Sequence, residues 1–378
     1  MKRLMLATLA LVLCVLPGVA ADPDRAGMSV YVGSYAKDSE PGIHHFKLDF
    51  ASGALTAAGG TSGVTNPSFV AISPDKKYLY AIGESGGKKG GAVVSFSIDE
   101  SSGALKKLSE SVSGGAGPCY VTADKTGKVV LVANYGGGSI ASLPVSADGK
   151  LSDPATFVQH TGSSINKGNQ AGPHAHSINV SPDNKFALAA DLGIDKILVY
   201  KLDPEKGTMT ANNPPSVDLP PGSGPRHFAF HPSGKYVYAC GEINSTVNVF
   251  SYDADKGALK FIHALSTLPE PVKGNSTAEC QVHPMGKFVY VSNRGHNSIA
   301  VFKVDEETGK LTAAGHEPTG GKTPRNFGID PTGQFLIAAN QDSNNVVVFK
   351  IESGSGMPKP MGVEVSVPKP VCVKFLQR

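Results

Sequence analysis

Apolar and polar residues alternate in two short runs around a tight turn between Pro225 and Glu242, in the sequence PRHFAFHPSGKYVYACGE. The first run carries Phe228 and Phe230, and the second run spans residues 236–240. Alternation with a period of two on both sides of a turn is typical of a β-hairpin. The pattern therefore predicts two antiparallel strands, with the start of the first strand beside the end of the second.

The hairpin pattern recurs along the whole chain. Further copies lie at 66–84, 117–134, 172–191, 277–294 and 323–341, so that successive copies are 46 to 55 residues apart. Each copy is followed by another apolar strand and then by a turn related to Asp-x-x-x-Gly-x-Leu, as at 203–209. Repeats of this period are typical of solenoids and propeller blades. Each repeat is therefore predicted to supply four antiparallel strands.

The two ends of the chain complete the last repeat. Residues 368–375 resemble the first strand of a hairpin, and residues 28–35 resemble the second strand. The sequence thus predicts an all-β fold, a seven-bladed β-propeller with four antiparallel strands per blade, whose last blade joins the N- and C-terminal strands. Such closure removes exposed strand edges. Residues 22–378 are expected to form this single domain.

Composition agrees with many short strands and excludes several function classes. The chain has 44 Gly and 27 Pro, and only 18% of its residues are charged, which favours strands joined by turns over long helices. The formal net charge is +3 without a basic run, so nucleic acid is not an expected partner. The sequence contains no phosphate loop, dinucleotide fingerprint or EF-hand loop, and no cofactor is expected.

The N-terminus has the features of a secretory signal peptide. A short basic segment at residues 1–3 precedes an apolar run from Leu4 to Leu16, and small residues lead up to Asp22. This order predicts a signal peptide over residues 1–21, with cleavage after Ala20 or Ala21. The mature protein is expected to be exported, periplasmic or secreted, and free of the membrane.

The four cysteines beyond this segment lie inside predicted strands at scattered spacings. We interpret them as small buried hydrophobic residues rather than as a disulfide framework or a metal site. Cys240 and Cys280 fall in neighbouring repeats and are the one pair for which a disulfide bond remains an alternative. The four are Cys119, Cys240, Cys280 and Cys372.

Residues with reactive side chains collect at one end of the predicted hairpins. In a propeller, the first strand of each blade lines the central channel, and its start and the end of the second strand open on one face. The opposite ends are plain turns such as SPDKK and HPSGK. Arginines and carboxylates at a narrow mouth favour an anionic ligand and a proton-transfer group. The candidates are His174, His176, Arg226, His227, Glu242, Glu279, Asn293, Arg294, Arg325 and Gln341.

Structural roles are the alternative for several polar residues. Asparagines at strand ends often satisfy backbone groups, which is the interpretation we favour for Asn66, Asn134 and Asn340. His231 and His283 precede prolines at the plain-turn end, where a structural role is also expected. His174 and His176 are spaced like two metal ligands on a strand, but no third ligand follows at a fixed spacing, and no metal is expected.

Several motifs together resemble the seven-bladed propeller lactonase family, which includes propeller-type 6-phosphogluconolactonases and fungal carboxy-muconate lactonizing enzymes. The resemblance spans about residues 28–376 and is carried by GPHAHS (172–177), GPRHFAFHP (224–232), SNRGHNSIAVF (292–302) and TPRNFGIDPTGQFL (323–336). It implies a catalytic site of one histidine, one glutamate and two arginines, matched here by His174 or His176, Glu242, Arg226 and Arg294.

The resemblance implies hydrolysis of a sugar-type lactone, and the protein is expected to be a monomer. Glu242 or His174 would activate water, Arg226 and Arg294 would hold an anionic substituent or the oxyanion, and the remaining candidates would bind substrate. Because phosphorylated sugars are scarce outside the cytoplasm, an unphosphorylated or carboxylated lactone is as well supported as a 6-phosphate. Two alternatives stay open: a muconate-type lactonizing or isomerising enzyme, and a non-catalytic exported propeller that binds a sugar acid or a protein partner.

Overall fold

A computed structural model describes residues 27–85 and 90–377, which contain 28 β-strands and no helix. The predicted signal peptide lies outside the described residues. No helix that could cross a membrane is present in the described ranges.

The strands, in chain order, have the following bounds: β1 (Met28–Ser34), β2 (Ile43–Leu48), β3 (Leu55–Thr61), β4 (Val70–Ile72), β5 (Tyr78–Gly83), β6 (Ala92–Ile98), β7 (Leu105–Val112), β8 (Pro118–Ala123), β9 (Val129–Asn134), β10 (Ser139–Pro144), β11 (Thr156–Gln159), β12 (Ala175–Val180), β13 (Phe186–Asp191), β14 (Lys196–Asp203), β15 (Thr208–Asp218), β16 (Pro225–Phe230), β17 (Tyr236–Gly241), β18 (Thr246–Asp253), β19 (Ala258–Ser266), β20 (Ser276–Val282), β21 (Phe288–Arg294), β22 (Ser298–Val304), β23 (Leu311–Pro318), β24 (Pro324–Ile329), β25 (Phe335–Asn340), β26 (Asn345–Ile351), β27 (Pro358–Ser366) and β28 (Pro370–Leu376).

These strands form seven antiparallel sheets of four strands each, arranged as a ring of blades. Six sheets use consecutive strands: β4–β7, β8–β11, β12–β15, β16–β19, β20–β23 and β24–β27, numbered here as blades 1 to 6. The closing blade has the order β28-β1-β2-β3, with Val30 opposite Phe375 and Val32 opposite Val373. The predicted seven-bladed propeller, closed by both termini, is confirmed.

The second strand of each blade lies in the middle of the core. Every residue of β9, β17 and β25 is buried, because each of these strands is flanked by paired strands and covered on both faces by neighbouring blades. The outer strands alternate instead, as in β11 and β27, where inward residues are sheltered and outward residues are exposed. Burial of apolar surface, worth roughly 25 cal/mol per Å², therefore holds adjacent blades together around the ring.

Two histidines at the plain-turn end hydrogen-bond to the next blade. This is a structural role, as expected from the sequence. His231 Nε2 donates to the Gly286 carbonyl at 2.9 Å, and His283 Nε2 donates to the Gly333 carbonyl at 3.0 Å. Gly286 has a φ of 78°, and a Cβ there would lie 2.6 Å from the His231 ring. Only glycine therefore fits this turn.

The four described cysteines are free and buried, which confirms their interpretation as small hydrophobic residues. The disulfide considered between Cys240 and Cys280 is not formed. Their thiols instead contact backbone carbonyls, Cys240 that of Ala278 at 3.5 Å and Cys280 that of Tyr238 at 3.4 Å.

Candidate active site

The first strand of five blades contains a β-bulge near its start, in each case at the same end of the channel. The register shifts between Pro118 and Tyr120, Ala175 and Ser177, Pro225 and Phe228, Thr277 and Cys280, and Pro324 and Asn326. The closing blade has a matching irregularity between Gly33 and Ser34. A bulge places an extra residue on one strand and redirects its side chain, which is common beside active sites.

The bulges arrange the polar side chains in stacked rings around the mouth. We call the residue at the bulge of each first strand, together with the equivalent residue before β4 in blade 1, the bulge ring: Ser68, Cys119, His176, Arg226, Ala278, Arg325 and Val371. The residue that ends or directly follows each second strand forms the exit ring: Tyr35, Glu84, Tyr135, Leu192, Glu242, Arg294 and Gln341. The next residue of each first strand forms the inner ring, deeper in the channel: Phe69, Tyr120, Ser177, His227, Glu279, Asn326 and Cys372.

Glu242 joins two arginines at the mouth. Its Oε2 lies 2.8 Å from Arg226 Nε, an ion pair whose angle falls outside hydrogen-bond geometry, and its Oε1 lies 3.0 Å from Arg294 Nη2. Arg294 Nη2 also donates to the Thr277 carbonyl at 3.0 Å, and Arg226 Nη1 donates to the Ala278 carbonyl. Both carboxylate oxygens of Glu242 are therefore occupied by cations.

The charges of this cluster follow from burial and from the neighbouring ions. Burial alone would raise the pKa of Glu242, but the charges of Arg294, Arg226 and Arg325 outweigh it and lower that pKa. Burial, with the charges of Arg325 and Arg294, lowers the pKa of Arg226 to about 10. Near neutral pH the cluster therefore consists of a carboxylate and charged guanidinium groups.

Polar side chains of the inner ring, deeper in the channel than this cluster, hold Arg226 in place. Arg226 Nη1 lies 3.3 Å from His227 Nε2, and His227 Nδ1 lies 3.0 Å from Glu279 Oε2. Since a guanidinium can only donate, His227 Nε2 accepts and Nδ1 carries the proton that it donates to Glu279. Asn326 Nδ2 donates to the same oxygen, and the Cys280 backbone N–H donates to Glu279 Oε1.

Burial sets the protonation of this inner layer. It raises the pKa of Glu279 to about 7. It also lowers the pKa of His227 well below its usual range, and the charge of Arg226 lowers it further. The imidazole of His227 is therefore neutral, which agrees with the direction of its hydrogen bonds.

The two candidate histidines differ sharply in environment. His174 lies in the loop before β12, partly exposed, with its ring stacked on Tyr135 at a centroid distance of 4.5 Å. Its Nδ1 is 2.9 Å from the Tyr135 carbonyl oxygen, and because a carbonyl only accepts, Nδ1 carries the proton. In the neutral ring, Nε2 is therefore left with a free lone pair.

His176 is buried in the bulge ring. Its Nδ1 lies 3.6 Å from Cys119 Sγ, and its ring meets that of His227 edge-on at 5.2 Å. Burial and then the charge of Arg226 lower its pKa well below the usual range. His176 is thus a neutral group in the channel wall, whereas His174 is the histidine at the outer lip.

A buried pair supports the loop that carries His174. Asp191 Oδ1 accepts from the His174 backbone N–H at 2.7 Å, and Asp191 Oδ2 lies 2.7 Å from His160 Nδ1. His160 Nε2 in turn lies 3.0 Å from the Tyr200 hydroxyl. The position of His174 is therefore fixed by hydrogen bonds to its backbone and to its ring.

A narrow cleft with a cavity volume of about 10 Å³, enough for about one water molecule, lies beside the arginine cluster. On the side opposite Glu242, Ser68 Oγ donates to Glu84 Oε2, and the Tyr35 hydroxyl lies 3.5 Å from Glu84 Oε1. The guanidinium carbon of Arg325 lies 5.8 Å from the centre of the Tyr35 ring. The cleft is lined by Tyr35, Ser68, Phe69, Glu84, Cys119, His176, Arg226, His227, Arg325 and Val371.

Of the ten candidates, His176, Arg226, His227 and Arg325 line this cleft and the other six do not. The Asn293 side chain is buried and ties the 266–276 loop to the blade, accepting from Thr267 Oγ1 at 2.8 Å and donating to the Thr267 carbonyl at 2.8 Å. Gln341 donates to Asp342 at 3.0 Å, beside the mouth. Asn66, Asn134 and Asn340 each donate to a backbone carbonyl, as the structural interpretation of them expects.

Three polar residues of the cleft, Tyr35, Ser68 and Glu84, are not among the candidates predicted from the sequence. A signal was present in the repeats. Glu84 follows Gly83 at the end of β5, as Glu242 follows Gly241 at the end of β17. The registers Val70–Ala81 and Phe228–Ala239 place Ser68 where blade 4 has Arg226. Alignment of one blade on another therefore identifies the second carboxylate of the mouth.

Among residues 27–85 and 90–377, no three His, Cys, Asp or Glu side chains lie close enough together to hold a metal ion.

Comparisons with known proteins agree with this architecture. The family model described as "Lactonase, 7-bladed beta-propeller" matches residues 29–375. A 6-phosphogluconolactonase from Bacillus subtilis is 38% identical over 349 residues, which cover 92% of this chain and 98% of that protein. Another, from Formosa agariphila, is 38% identical over 294 residues, or 76% of this chain and 82% of that protein. The structure of a periplasmic gluconolactonase from Pseudomonas aeruginosa superposes with a TM-score of 0.86 at 30% identity, covering 93% of this chain and 99% of that one.

Proposed function

The chain belongs to the lactonase family of seven-bladed β-propellers, and we propose that it hydrolyses a sugar-type lactone at the mouth of its channel. The observation that carries the proposal is a cleft lined by Arg226 and Arg325, with a histidine that has a free ring nitrogen close by: His174 stacks on Tyr135, whose ring meets that of the cleft residue His176. A base that activates water and a positive charge that stabilises the oxyanion are the two requirements of ester hydrolysis.

His174 is the base in this proposal. Its proton is on Nδ1, held by the Tyr135 carbonyl, so Nε2 accepts a proton from the attacking water. Ring stacking on Tyr135 and the Asp191 bond to its backbone hold the imidazole at the lip. A general base of this kind contributes typically about 10²- to 10⁴-fold in rate.

Glu242, the other candidate for the base, is better suited to positioning. Both of its oxygens are occupied by arginines, and the arginine charges lower its pKa. A carboxylate in that state has little tendency to take up a proton. We assign it to holding Arg226 and Arg294 with their guanidinium groups beside the cleft.

The arginines supply the electrostatic part. Developing negative charge on the lactone carbonyl oxygen is stabilised by preorganised donors in a site that excludes water, with about 3 kcal/mol lost per donor removed. Arg226 lines the cleft from the bulge ring, and Arg294 lies behind it, joined to Arg226 through Glu242, with its side chain 13% exposed. His176, His227 and Arg325, which also line the cleft, are assigned to substrate binding together with Glu279 behind them.

We further propose that the protein acts after export and that its substrate includes unphosphorylated lactones. The basic and apolar N-terminal segment supports export. The similarity to a periplasmic gluconolactonase supports both parts of the proposal.

The test is hydrolysis of D-glucono-1,5-lactone and of its 6-phosphate by the purified protein, with spontaneous opening subtracted. We expect activity on at least one of them and a loss of about 100-fold or more in kcat for His174→Gln. His231→Gln, at the opposite end of the channel, is the matched control and should retain the wild-type rate. A wild-type rate equal to the uncatalysed rate on both lactones, combined with thermal stabilisation by gluconate, would instead identify a binding protein.

A further inference from the structure

Two of the charged residues at the mouth lack the partner that their position has in blade 4. In that blade, the bulge-ring Arg226 meets the exit-ring Glu242. Blade 1 has the carboxylate, Glu84, but Ser68 at the position equivalent to Arg226. Blade 6 has the arginine, Arg325, but Gln341 after its second strand. The carboxylate and the arginine that meet within blade 4 thus occur singly in blade 1 and in blade 6, the two blades that flank the closing blade.

The closing blade places Tyr35 between these two groups. The Tyr35 hydroxyl lies 3.5 Å from Glu84 Oε1, at the outer limit of a hydrogen bond, and the guanidinium of Arg325 lies over its ring. Within residues 27–85 and 90–377, no hydrogen bond or ion pair to the Arg325 side chain is formed. Tyr35, Glu84 and Arg325 all line the same cleft as Arg226. Tyr35, only weakly held by Glu84 and Arg325, therefore presents its hydroxyl proton to whatever occupies the cleft.

Lactone hydrolysis needs such a proton. When the ring C–O bond breaks, the leaving oxygen is an alkoxide, which is far more basic than water at neutral pH and departs slowly unless an acid protonates it. His174 and the Arg226–Glu242–Arg294 cluster supply a base and positive charge but no hydroxyl donor. Burial raises the pKa of Tyr35 to about 12, and the charge of Glu84 contributes in the same direction, so the phenol keeps its proton at neutral pH.

We propose that Tyr35 is the general acid of the lactonase reaction, donating its phenolic proton to the ring oxygen as the C–O bond breaks, with Glu84 and Arg325 holding it toward the cleft. This assignment rests on the proposed function. In the full sequence, His174 Nε2 takes one proton from water, and the hydroxide oxygen bonds to the carbonyl carbon. The ring C–O bond breaks, and the Tyr35 proton passes to the ring oxygen. The tyrosinate then recovers a proton from the His174 imidazolium through solvent, so that one water is consumed and one hydroxy acid is formed.

The test compares leaving groups in the purified full-length protein. One substrate is D-glucono-1,5-lactone, and the other is 5-thio-D-glucono-1,5-lactone, in which sulfur replaces the ring oxygen. A thiolate, with a thiol pKa of about 8.5, leaves without protonation. We expect Tyr35→Phe to lower kcat about 100-fold on the oxygen lactone and less than about threefold on the thiolactone. Tyr78→Phe is the control, because the Tyr78 hydroxyl binds the Ala147 carbonyl at 3.2 Å on an exposed turn.

The outcomes separate this assignment from a structural role and from the proposed function. An equal loss on both lactones would mean that Tyr35 only positions Glu84, and an unchanged rate on the oxygen lactone would assign the proton to another group. Either result overturns the proposal. Absence of wild-type activity on both lactones and also on D-glucono-1,5-lactone 6-phosphate would refute the proposed function itself. Rates of Tyr35→Phe that fall on the oxygen lactone alone, with the melting temperature of the wild type, support the assignment.

Discussion

Glu242→Gln tests the electrostatic core of the mouth. The substitution preserves the size of the side chain and one acceptor oxygen, but it removes the negative charge between Arg226 Nε and Arg294 Nη2. Arg226 is 2% exposed in its side chain and has no other carboxylate within ion-pair distance in the described structure. The variant therefore leaves a buried guanidinium without its counter-ion.

The magnitude follows from the burial of the three groups. Removing one partner of a buried ion pair typically costs about 3–5 kcal/mol. Glu242 itself is 23% exposed, and the glutamine oxygen still accepts from one arginine, so we expect about 2–4 kcal/mol lost from the free energy of unfolding. In a domain of this size, each kcal/mol lost from the free energy of unfolding lowers the melting temperature by about 2 °C. The melting temperature should therefore fall by about 4–8 °C.

The measurement is thermal or urea unfolding at pH 7, with Glu110→Gln as the matched control. Glu110 pairs with Lys107 at 2.7 Å, but both side chains are about half exposed, and a surface pair of this kind contributes about 0–1 kcal/mol. A Glu242→Gln protein that melts with the control would refute the view that the arginine cluster depends on this carboxylate.

The pH dependence gives a second check on the same variant. Because the arginines lower the pKa of Glu242 in the folded protein, its stabilising contribution is complete above the unfolded-state pKa of about 4.3 and is lost as pH falls through the lower folded-state value. The difference between wild type and Glu242→Gln should therefore be constant above about pH 5.5 and shrink at more acidic pH. A difference that grows on acidification would contradict the assigned charges.

Three further predictions follow from the burial of other groups and from the N-terminus. Because burial raises the pKa of Glu279 to about 7, folding stability should decrease as pH rises from about 4.5 to 7, and Glu279→Gln should flatten this slope in urea titrations; an unchanged slope would show that Glu279 titrates normally. Burial raises the thiol pKa of all four described cysteines, so a thiol reagent at pH 7.5 should label none of them in the native protein and all four in urea; rapid native labelling would place a thiol at the surface. Mass spectrometry of the exported protein should give an N-terminus at Ala21 or Asp22, whereas an intact Met1 in the soluble cytoplasmic fraction would exclude export.

Much of the fold was accessible from local patterns. The alternation in 225–242, repeated along the chain, predicted the hairpins, and the similarity of residues 368–375 and 28–35 to the two strands of one hairpin predicted the closing blade. Each of these inferences depends on residues close together in sequence or on comparison of one repeat with another. Side-chain alternation and turn chemistry are local properties of the backbone, so they survive without knowledge of the surroundings.

The composition of the mouth was only partly accessible. Strand polarity placed Arg226, Glu242 and Arg294 on one face, but it also selected Asn293, whose side chain is committed to the backbone of Thr267. Tyr35 and Glu84, which also line the cleft, were not predicted, since neither residue belongs to a motif by itself. A bulge in the first strand of six blades decides which side chains enter the channel, and the alternating sequence pattern does not indicate it.

The sequence by itself therefore determined the number of blades, the order of their strands, the closing of the ring and the face on which reactive side chains collect. Only the tertiary structure decided which of these side chains meet and in what charge state. His227 and Glu279 are 52 residues apart, and Tyr35 and Glu84 are 49 apart. The packing of neighbouring blades nevertheless brings each pair into contact. Hydrogen bonds, ion pairs and pKa values depend on distance and burial through space, and in a propeller these are set when neighbouring blades pack around a shared channel.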